Sequence, residues 1–149
     1  SKSKTINQIR GILEKANFMF DELKKHHIGI IVSDEQRKKI EKCLKRKFNM
    51  DKTQGTRVLF EKDPYLGFYK EYIVKEGRVK NIPLGFAHIC YDVKNQSELN
   101  KIENFIDQNE LGLQITKLEK SGAEECGWVK FYFIKNHGVI ELNLLKKDV

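Results

Sequence analysis

Two histidines and two glutamates occupy matching positions in the two halves of the chain, and together they could bind a metal ion. His27 opens a short apolar stretch that reappears from His88 onward, and Glu71 and Glu141 lie in the last strand predicted for each half. Because residues two apart on a strand share one face, all four side chains are expected to point into a cleft, away from the helices. Two imidazole nitrogens and two carboxylate oxygens can hold a divalent transition metal, with positions left for water or substrate.

The repeated stretch predicts that the chain contains a duplicated unit. Residues 27–34 and 88–95 each open on a histidine, continue with mostly apolar residues and close on a residue type that caps helices. Internal similarity of this kind usually reports a duplicated supersecondary unit. An approximate two-fold axis between the copies would bring equivalent residues together, so the two histidines and the two glutamates are expected to form one shared site.

Hydrophobic periodicity predicts the same order of elements in both copies. The first copy is predicted to contain strands at residues 26–32, 57–61 and 68–74, a helix capped by Ser33, and a short edge strand within residues 49–55. The second copy is predicted to contain strands at residues 86–93, 113–118, 128–134 and 138–145 and a helix capped by Asn95.

This order predicts an α+β fold of two tandem βαβββ modules. Their strands are expected to form one curled mixed sheet around a metal-binding cleft, with the helices on its outer side. Module one would span residues 26–80 and module two residues 85–146, so that one domain covers residues 26–146.

Residues 1–25 are predicted to form a helical extension outside this domain. Thr5 and Gln8 have a capping-box spacing, and apolar residues follow at helical intervals. The amphipathic pattern indicates that the helix packs on the domain or on a partner subunit, and a break near Asn17 is expected.

The composition is typical of a single globular domain. The chain has 149 residues, of which 40% are hydrophobic and 33% charged. No apolar run approaches the roughly 18 residues of a membrane span, and the first residues lack the apolar core of a secretory signal, so a cytoplasmic protein without a membrane partner is expected.

Cys43, Cys90 and Cys126 show no C-x-x-C spacing and are expected to be free thiols.

The positive charge does not by itself indicate a nucleic-acid partner. The net charge is +7, from 28 basic and 21 acidic residues, but the lysines are interleaved with acidic residues along the whole chain. No basic tail, RNP-like aromatic motif or zinc-finger spacing accompanies them. A phosphate-bearing small substrate or a solvated basic surface explains the charge as well, and no nucleic-acid binding is expected.

Three further side chains lie near these motifs. His26 is expected on the opposite face from His27, as a packing residue, and His137 is expected to be exposed in a hairpin turn. Cys90 shares the face of His88 and is expected to line the cleft.

The segments that carry the four candidate ligands resemble the ligand strands of the vicinal-oxygen-chelate superfamily, which includes glyoxalases and methylmalonyl-CoA epimerases. The matching segments are residues 26–30, 71–74, 87–93 and 138–142. Each is short, but their order and spacing together are specific. The likeness covers about residues 26–146 and excludes the N-terminal helix.

The resemblance implies one divalent metal ion (Ni²⁺, Co²⁺, Mn²⁺ or Zn²⁺) bound by His27, Glu71, His88 and Glu141. A His/Glu/His/Glu set is similar to that of bacterial lactoylglutathione lyases, whereas the epimerases usually have Gln at the position of Glu71. The tract from Glu71 to His88 is nevertheless more similar to epimerase-like proteins. Extradiol dioxygenases and fosfomycin-resistance enzymes use two His and one Glu and are less similar.

The implied activity is that of a metal-dependent isomerase, epimerase or lyase. It would remove a proton next to a carbonyl through a metal-stabilised enolate, with Glu141 or Glu71 as the base and its pKa tuned toward neutrality. The substrate would be a small molecule such as a CoA or glutathione thioester-type compound, with the basic residues 75–80 holding a phosphate-bearing carrier. A homodimer is an open alternative to a monomer. The alternative function is a metal-free, resistance-type protein that binds a small molecule on the same fold.

Overall fold

The computed structural model describes residues 4–145. The first three residues of the predicted N-terminal extension and the predicted domain end at residue 146 lie outside this range. The helices are α1 (Ile6–Glu22), α2 (Asp34–Leu44) and α3 (Gln96–Gln108). The strands are β1 (Lys25–Val32), β2 (Asn49–Asp51), β3 (Thr56–Lys62), β4 (Tyr69–Val74), β5 (Gly85–Val93), β6 (Gly112–Gln114), β7 (Glu119–Lys120), β8 (Trp128–Ile134) and β9 (Gly138–Leu144). A single 3₁₀ turn, Gly77–Val79, lies in the linker between the modules.

The strands form one open mixed sheet with an internal two-fold relation. Its order is β2-β3-β4-β1-β5-β9-β8-β6, with β7 added beside β8. The first strand of each module pairs in parallel with the last strand of the same module, β1 with β4 and β5 with β9. β1 and β5 pair antiparallel at the centre of the sheet and join the two modules. The predicted α+β fold of two βαβββ modules is therefore confirmed.

The strand register makes the two halves equivalent at the centre. Gly29 lies opposite Glu71 across β1 and β4, and Cys90 lies opposite Glu141 across β5 and β9. Between β1 and β5, His27 pairs with Cys90 and Gly29 pairs with His88. The two-fold axis therefore passes between the central strands, at the level of the candidate ligands.

The helices cover the outer face of the sheet, as the alternation predicts. Ile30 and Val32 of β1 pack beneath α2 in the first module. Tyr91 and Val93 of β5 belong to a larger core formed with α1 and α3 in the second module. A third apolar cluster, which includes Ile31 and Val129, lines the inner face of the sheet, where the cleft lies.

Helix α1 packs on the second module of its own chain. Thr5 forms the predicted capping box with Gln8, and the helix is continuous through Asn17, where a break was expected. Ala16 and Phe20 are fully buried in the core of the second module, and the Phe20 ring lies 5.3 Å from that of Tyr91. The helix therefore supplies part of a core without supplying any of the four candidate ligands.

Phe20→Ala is expected to lower the free energy of unfolding by about 3–5 kcal/mol, because it removes a fully buried aromatic side chain and leaves a cavity. Urea denaturation would measure the change. Phe18 lies on the same helix and is 68% exposed. Phe18→Ala is the matched control and should change stability by less than about 0.5 kcal/mol. Folded Phe20→Ala protein should bind metal as the wild type does, and loss of metal would show that α1 helps to shape the site.

The predicted strand at residues 113–118 is wrong in extent. β6 ends at Gln114, and β7 begins only at Glu119. In between, the amides of Ile115 and Thr116 both donate to the carbonyl of Phe131, so the regular ladder of hydrogen bonds between strands is interrupted at this point.

In the described part of the chain, no helix is long and apolar enough to cross a membrane.

Candidate metal centre

The four side chains predicted to bind metal converge at the centre of the sheet. His27 Nε2 lies 3.1 Å from Glu71 Oε1 and 3.0 Å from Glu141 Oε1. His88 Nε2 lies 3.1 Å from Glu141 Oε1 and 3.9 Å from Glu71 Oε1. The two Nε2 atoms are 3.1 Å apart, and all four side chains are buried. One cluster of two nitrogens and two oxygens therefore forms within a single chain.

The shortest of these distances suit hydrogen bonds and also suit donor atoms that share one metal ion. Donor atoms that bind one ion at right angles, with bonds of about 2.1 Å, are about 3.0 Å apart. The shortest separations in the cluster, 3.0–3.1 Å, have this length. Each neutral imidazole has only one N–H group, and ionised carboxylates have only acceptor atoms. Without an ion, the cluster therefore contains more hydrogen-bond acceptors than donors. The donor set also matches the ligands that divalent transition metals prefer.

Gly29 makes room for His88. A Cβ atom on Gly29 would lie 2.2 Å from His88 Cε1 and 2.5 Å from Nδ1. The residue in the equivalent position of the second module is Cys90, which carries a side chain there. The glycine is therefore required by the close approach of the imidazole, and its φ is not in the positive range.

The buried histidines and carboxylates of the cluster shift each other's pKa values toward the charged forms. Burial alone would raise the pKa of Glu141, but hydrogen bonds and charge interactions with His27 and His88 hold it well below its usual range. Burial opposes protonation of His27, yet the neighbouring Cys90 and Glu71 raise its pKa well above the usual value. Glu141 is therefore ionised, and the shift is opposite to the expected tuning toward neutrality.

His26 contacts His27 and does not lie on the opposite face of the sheet, where it was predicted. The pairing of β1 with β5 shifts register between Lys25 and His27, so His26 is the extra residue of a β-bulge. Its Nδ1 lies 2.7 Å from the Nδ1 of His27, and the two rings meet edge to face. Burial and the neighbouring His27 lower the pKa of His26. The prediction of an opposite face was wrong because strict alternation does not hold through a bulge.

The described cysteines are free thiols, as predicted. Cys90 is fully buried beside His27 and does not border the cleft, whereas Cys126 does. Burial raises the pKa of Cys90 well above its usual value and that of Cys126 to about 11, so both are neutral at physiological pH.

His137 lies in the predicted turn between β8 and β9, with its ring 4.9 Å from that of Phe20. It is outside the cluster.

A cavity of about 480 Å³ opens onto the cluster. Glu71, His88 and Glu141 form part of its wall, whereas His27 lies behind them. The rest of the wall is mostly aliphatic and aromatic, and these residues come from both modules: Ile31, Val58, Ile73, Val79, Ala87, Val129, Phe131 and Val139. A ligand with an apolar body could therefore lie against the wall and reach the cluster with one end.

A third carboxylate, Asp51, borders the same cavity. Its Oδ1 accepts hydrogen bonds from the amides of Thr53 and Gln54, at 3.0 and 3.1 Å. Burial raises its pKa, and the nearby charge of Glu71 adds to this. Asp51 could not be predicted from the sequence because it ends a short edge strand, where neither periodicity nor the repeat marks it.

Two residues that border the cavity, Thr53 and Arg78, connect the first module and the linker to the second module. Arg78 of the linker donates to Glu119 at 2.8 Å, and the Thr53 hydroxyl donates to the carbonyl of Lys120 at 2.9 Å. The basic residues 75–80 were predicted to hold a phosphate-bearing carrier, but Arg78 is paired with the acidic side chain of Glu119. Lys75 and Lys80 are exposed.

The fold matches solved structures of one superfamily. A methylmalonyl-CoA epimerase from Mycobacterium tuberculosis is 14% identical, with a TM-score of 0.58 over 81% of this chain and 87% of that chain. A methylmalonyl-CoA epimerase variant from Streptomyces coelicolor, in complex with 2-nitronate-propionyl-CoA, is 15% identical, with a TM-score of 0.54 over 83% and 98% of the two chains. A 2,2',3-trihydroxybiphenyl 1,2-dioxygenase from Sphingomonas wittichii is 9% identical, with a TM-score of 0.54 over 80% of this chain and 41% of that one.

The epimerases and the dioxygenase belong to the vicinal-oxygen-chelate superfamily, and this chain has the fold of that superfamily. The predicted resemblance is thus confirmed at the level of the fold. No family model matches the sequence, and no curated protein matches it. At these sequence identities the likeness establishes the architecture of the protein and not its activity.

Proposed function

We propose that this protein is a metal-dependent enzyme that removes a proton from the carbon next to a carbonyl group, as an acyl-CoA epimerase or a lactoylglutathione lyase does. The observation that carries the proposal is the convergence of two imidazoles and two carboxylates in one buried cluster, three members of which line an apolar cavity. His27, Glu71, His88 and Glu141 would hold one Ni²⁺, Co²⁺, Mn²⁺ or Zn²⁺ ion. When bound, the ion would stabilise the negative charge that develops on the carbonyl oxygen.

The cavity would orient the substrate and keep water away from the reacting carbon. Its apolar wall, which includes Ile73, Val129 and Phe131, gives an acyl group a surface to pack on. Excluding water strengthens the interaction between the substrate and the charged groups of Glu71 and Glu141. A carrier such as CoA would extend out of the cavity, and the exposed Lys75 and Lys80 of the linker would hold its phosphates.

Carboxylates on the cavity wall would move the proton. Glu141 Oε1 lies within 3.1 Å of both histidines, whereas Glu71 Oε1 lies 3.1 Å from His27 and 3.9 Å from His88. Glu71 is therefore the less tightly held of the two predicted bases. Asp51 borders the same cavity outside the quartet, and its raised pKa suits proton uptake better than that of an ordinary aspartate. It is a third candidate base.

Hydrogen exchange in D₂O tests the proposed reaction. The metal-loaded protein would be incubated with methylmalonyl-CoA and, separately, with the methylglyoxal–glutathione adduct, and deuterium at the carbon next to the carbonyl would be followed by NMR. We expect exchange with at least one of them, because both substrates carry the acidic proton. Glu71→Gln, Glu141→Gln and Asp51→Asn would each be compared at equal metal content, and loss of the base should slow exchange by about 10²–10⁴-fold.

The alternative function is binding without catalysis. The apolar cavity of about 480 Å³ has the size of a small-molecule site, and this observation suits a binding protein as well. A protein of that kind needs no ligand quartet. Metal-loaded protein that exchanges no proton in any 2-substituted acyl thioester or hemithioacetal would favour the binding function.

A further inference from the structure

His26 lies directly behind the candidate ligand His27 and touches it through a ring nitrogen. The bulge in β1 turns the His26 ring toward His27, so that the two Nδ1 atoms are 2.7 Å apart. Two nitrogens this close cannot both carry a proton, so one donates to the other. His27 therefore faces the cluster with Nε2 and faces His26 with Nδ1.

The direction of this hydrogen bond follows once His27 binds a metal ion. A neutral imidazole that offers its Nε2 lone pair to a metal carries its proton on Nδ1. We propose that His26 is a positioning residue whose Nδ1 accepts the hydrogen bond from His27 Nδ1–H and so keeps the His27 Nε2 lone pair directed at the metal. This inference rests on the proposed metal centre. Such outer partners orient metal-binding histidines in many proteins.

The surroundings of His26 hold its ring in place for this role. The ring lies 5.5 Å from that of Tyr69 and 6.2 Å from that of Phe60, centroid to centroid. Cys126 of the second module also contacts it, with Sγ 4.0 Å from His26 Nδ1. The acceptor is thus fixed by contacts from both modules before any metal binds.

A second metal ion shared by His26, His27 and Cys126 is the rival explanation, since their ligand atoms also lie close together. The distances favour the hydrogen bond. Two nitrogens bound to one ion at about 2.05 Å would be about 2.9 Å apart at a right angle and about 3.3 Å apart at a tetrahedral angle, whereas the observed separation of 2.7 Å is shorter than both. The Cys126 Sγ lies 4.0 Å from His26 Nδ1.

Zn²⁺ binding by three variants tests the role of His26. His26→Phe keeps a ring but loses the acceptor, and its Zn²⁺ dissociation constant, measured by chelator competition, should rise about 10–100-fold. His26→Asn can place its amide oxygen near the position of Nδ1 and should bind Zn²⁺ nearly as the wild type does. His137→Phe removes a histidine outside the cluster and should leave the dissociation constant unchanged.

An NMR measurement on the Zn²⁺-loaded wild type tests the same point without a variant. In ¹⁵N-histidine-labelled protein, His27 should carry its proton on Nδ1, protected from exchange, and none on Nε2. An unchanged dissociation constant in folded His26→Phe, or a His27 Nδ1 proton that exchanges freely with water, would overturn the inference alone, whereas a proton on Nε2 would also remove His27 from the proposed metal quartet. A second Zn²⁺ ion that disappears in Cys126→Ser would replace it with the shared site. Wild-type protein that binds no Zn²⁺ would overturn the proposed function as well.

Discussion

His88→Ala and Glu141→Ala are each expected to lose stoichiometric metal binding. Each variant removes one donor from a cluster whose members stand on rigid strands of both modules, so no neighbouring side chain can take its place. Changing a residue that only hydrogen-bonds to a ligand already costs about 10–100-fold in affinity, so loss of a ligand should weaken binding by more than about 100-fold. Metal content after dialysis against metal-free buffer would measure the effect.

Two matched variants control for this experiment. His137→Ala removes a histidine outside the cluster, and Glu35→Ala removes an exposed glutamate of α2 whose contact with Lys39 is 3.9 Å long. Both should retain the metal. Circular dichroism would establish that all four variants are folded. Full metal content in folded His88→Ala or Glu141→Ala would show that the quartet has been assigned wrongly.

Gly29→Ala is expected to disrupt the site almost as severely, although glycine has no donor atom. The added Cβ would lie 2.2–2.7 Å from three atoms of the His88 ring, so the imidazole must move away from the cluster. Misplacing a ligand by about an ångström is sufficient to lose much of a site's function. We therefore expect metal affinity to fall by more than about 100-fold, which is also the loss expected when His88 itself is removed.

Gly11→Ala is the control for Gly29→Ala. A Cβ on Gly11 would meet nothing within 4 Å, and the residue lies within helix α1. This substitution should raise the free energy of unfolding by about 0.5–1 kcal/mol, because alanine is the better helix former, and should leave the metal bound. Wild-type metal affinity in Gly29→Ala would mean that His88 is not held as the structure indicates.

The candidate ligands could be predicted from the sequence because a local pattern was repeated. His27 and His88 occupy equivalent positions on β1 and β5. The parallel pairing within each module places Glu71 opposite Gly29 and Glu141 opposite Cys90, which are also equivalent positions. The capping box at Thr5 is equally local, since it depends on residues a few positions apart. Such features need no knowledge of distant contacts.

The remaining parts of the site depend on contacts between segments far apart in the chain. The bulge that turns His26 toward His27 is a property of the pairing between β1 and β5. Asp51 reaches the cavity from the edge of the first module, and Cys126 reaches it from a loop of the second. Periodicity and spacing describe neither a register shift nor the path of a loop, so these residues became visible only in the structure.

The metal content of wild-type protein purified without chelator tests the central claim most directly. Elemental analysis by mass spectrometry would give the number of Ni, Co, Mn and Zn ions per chain, and reconstitution of chelator-treated protein would check that the binding is reversible. The convergence of His27, Glu71, His88 and Glu141 predicts about one ion per chain. Folded protein that contains no transition metal and takes up none from any of the four salts would contradict it.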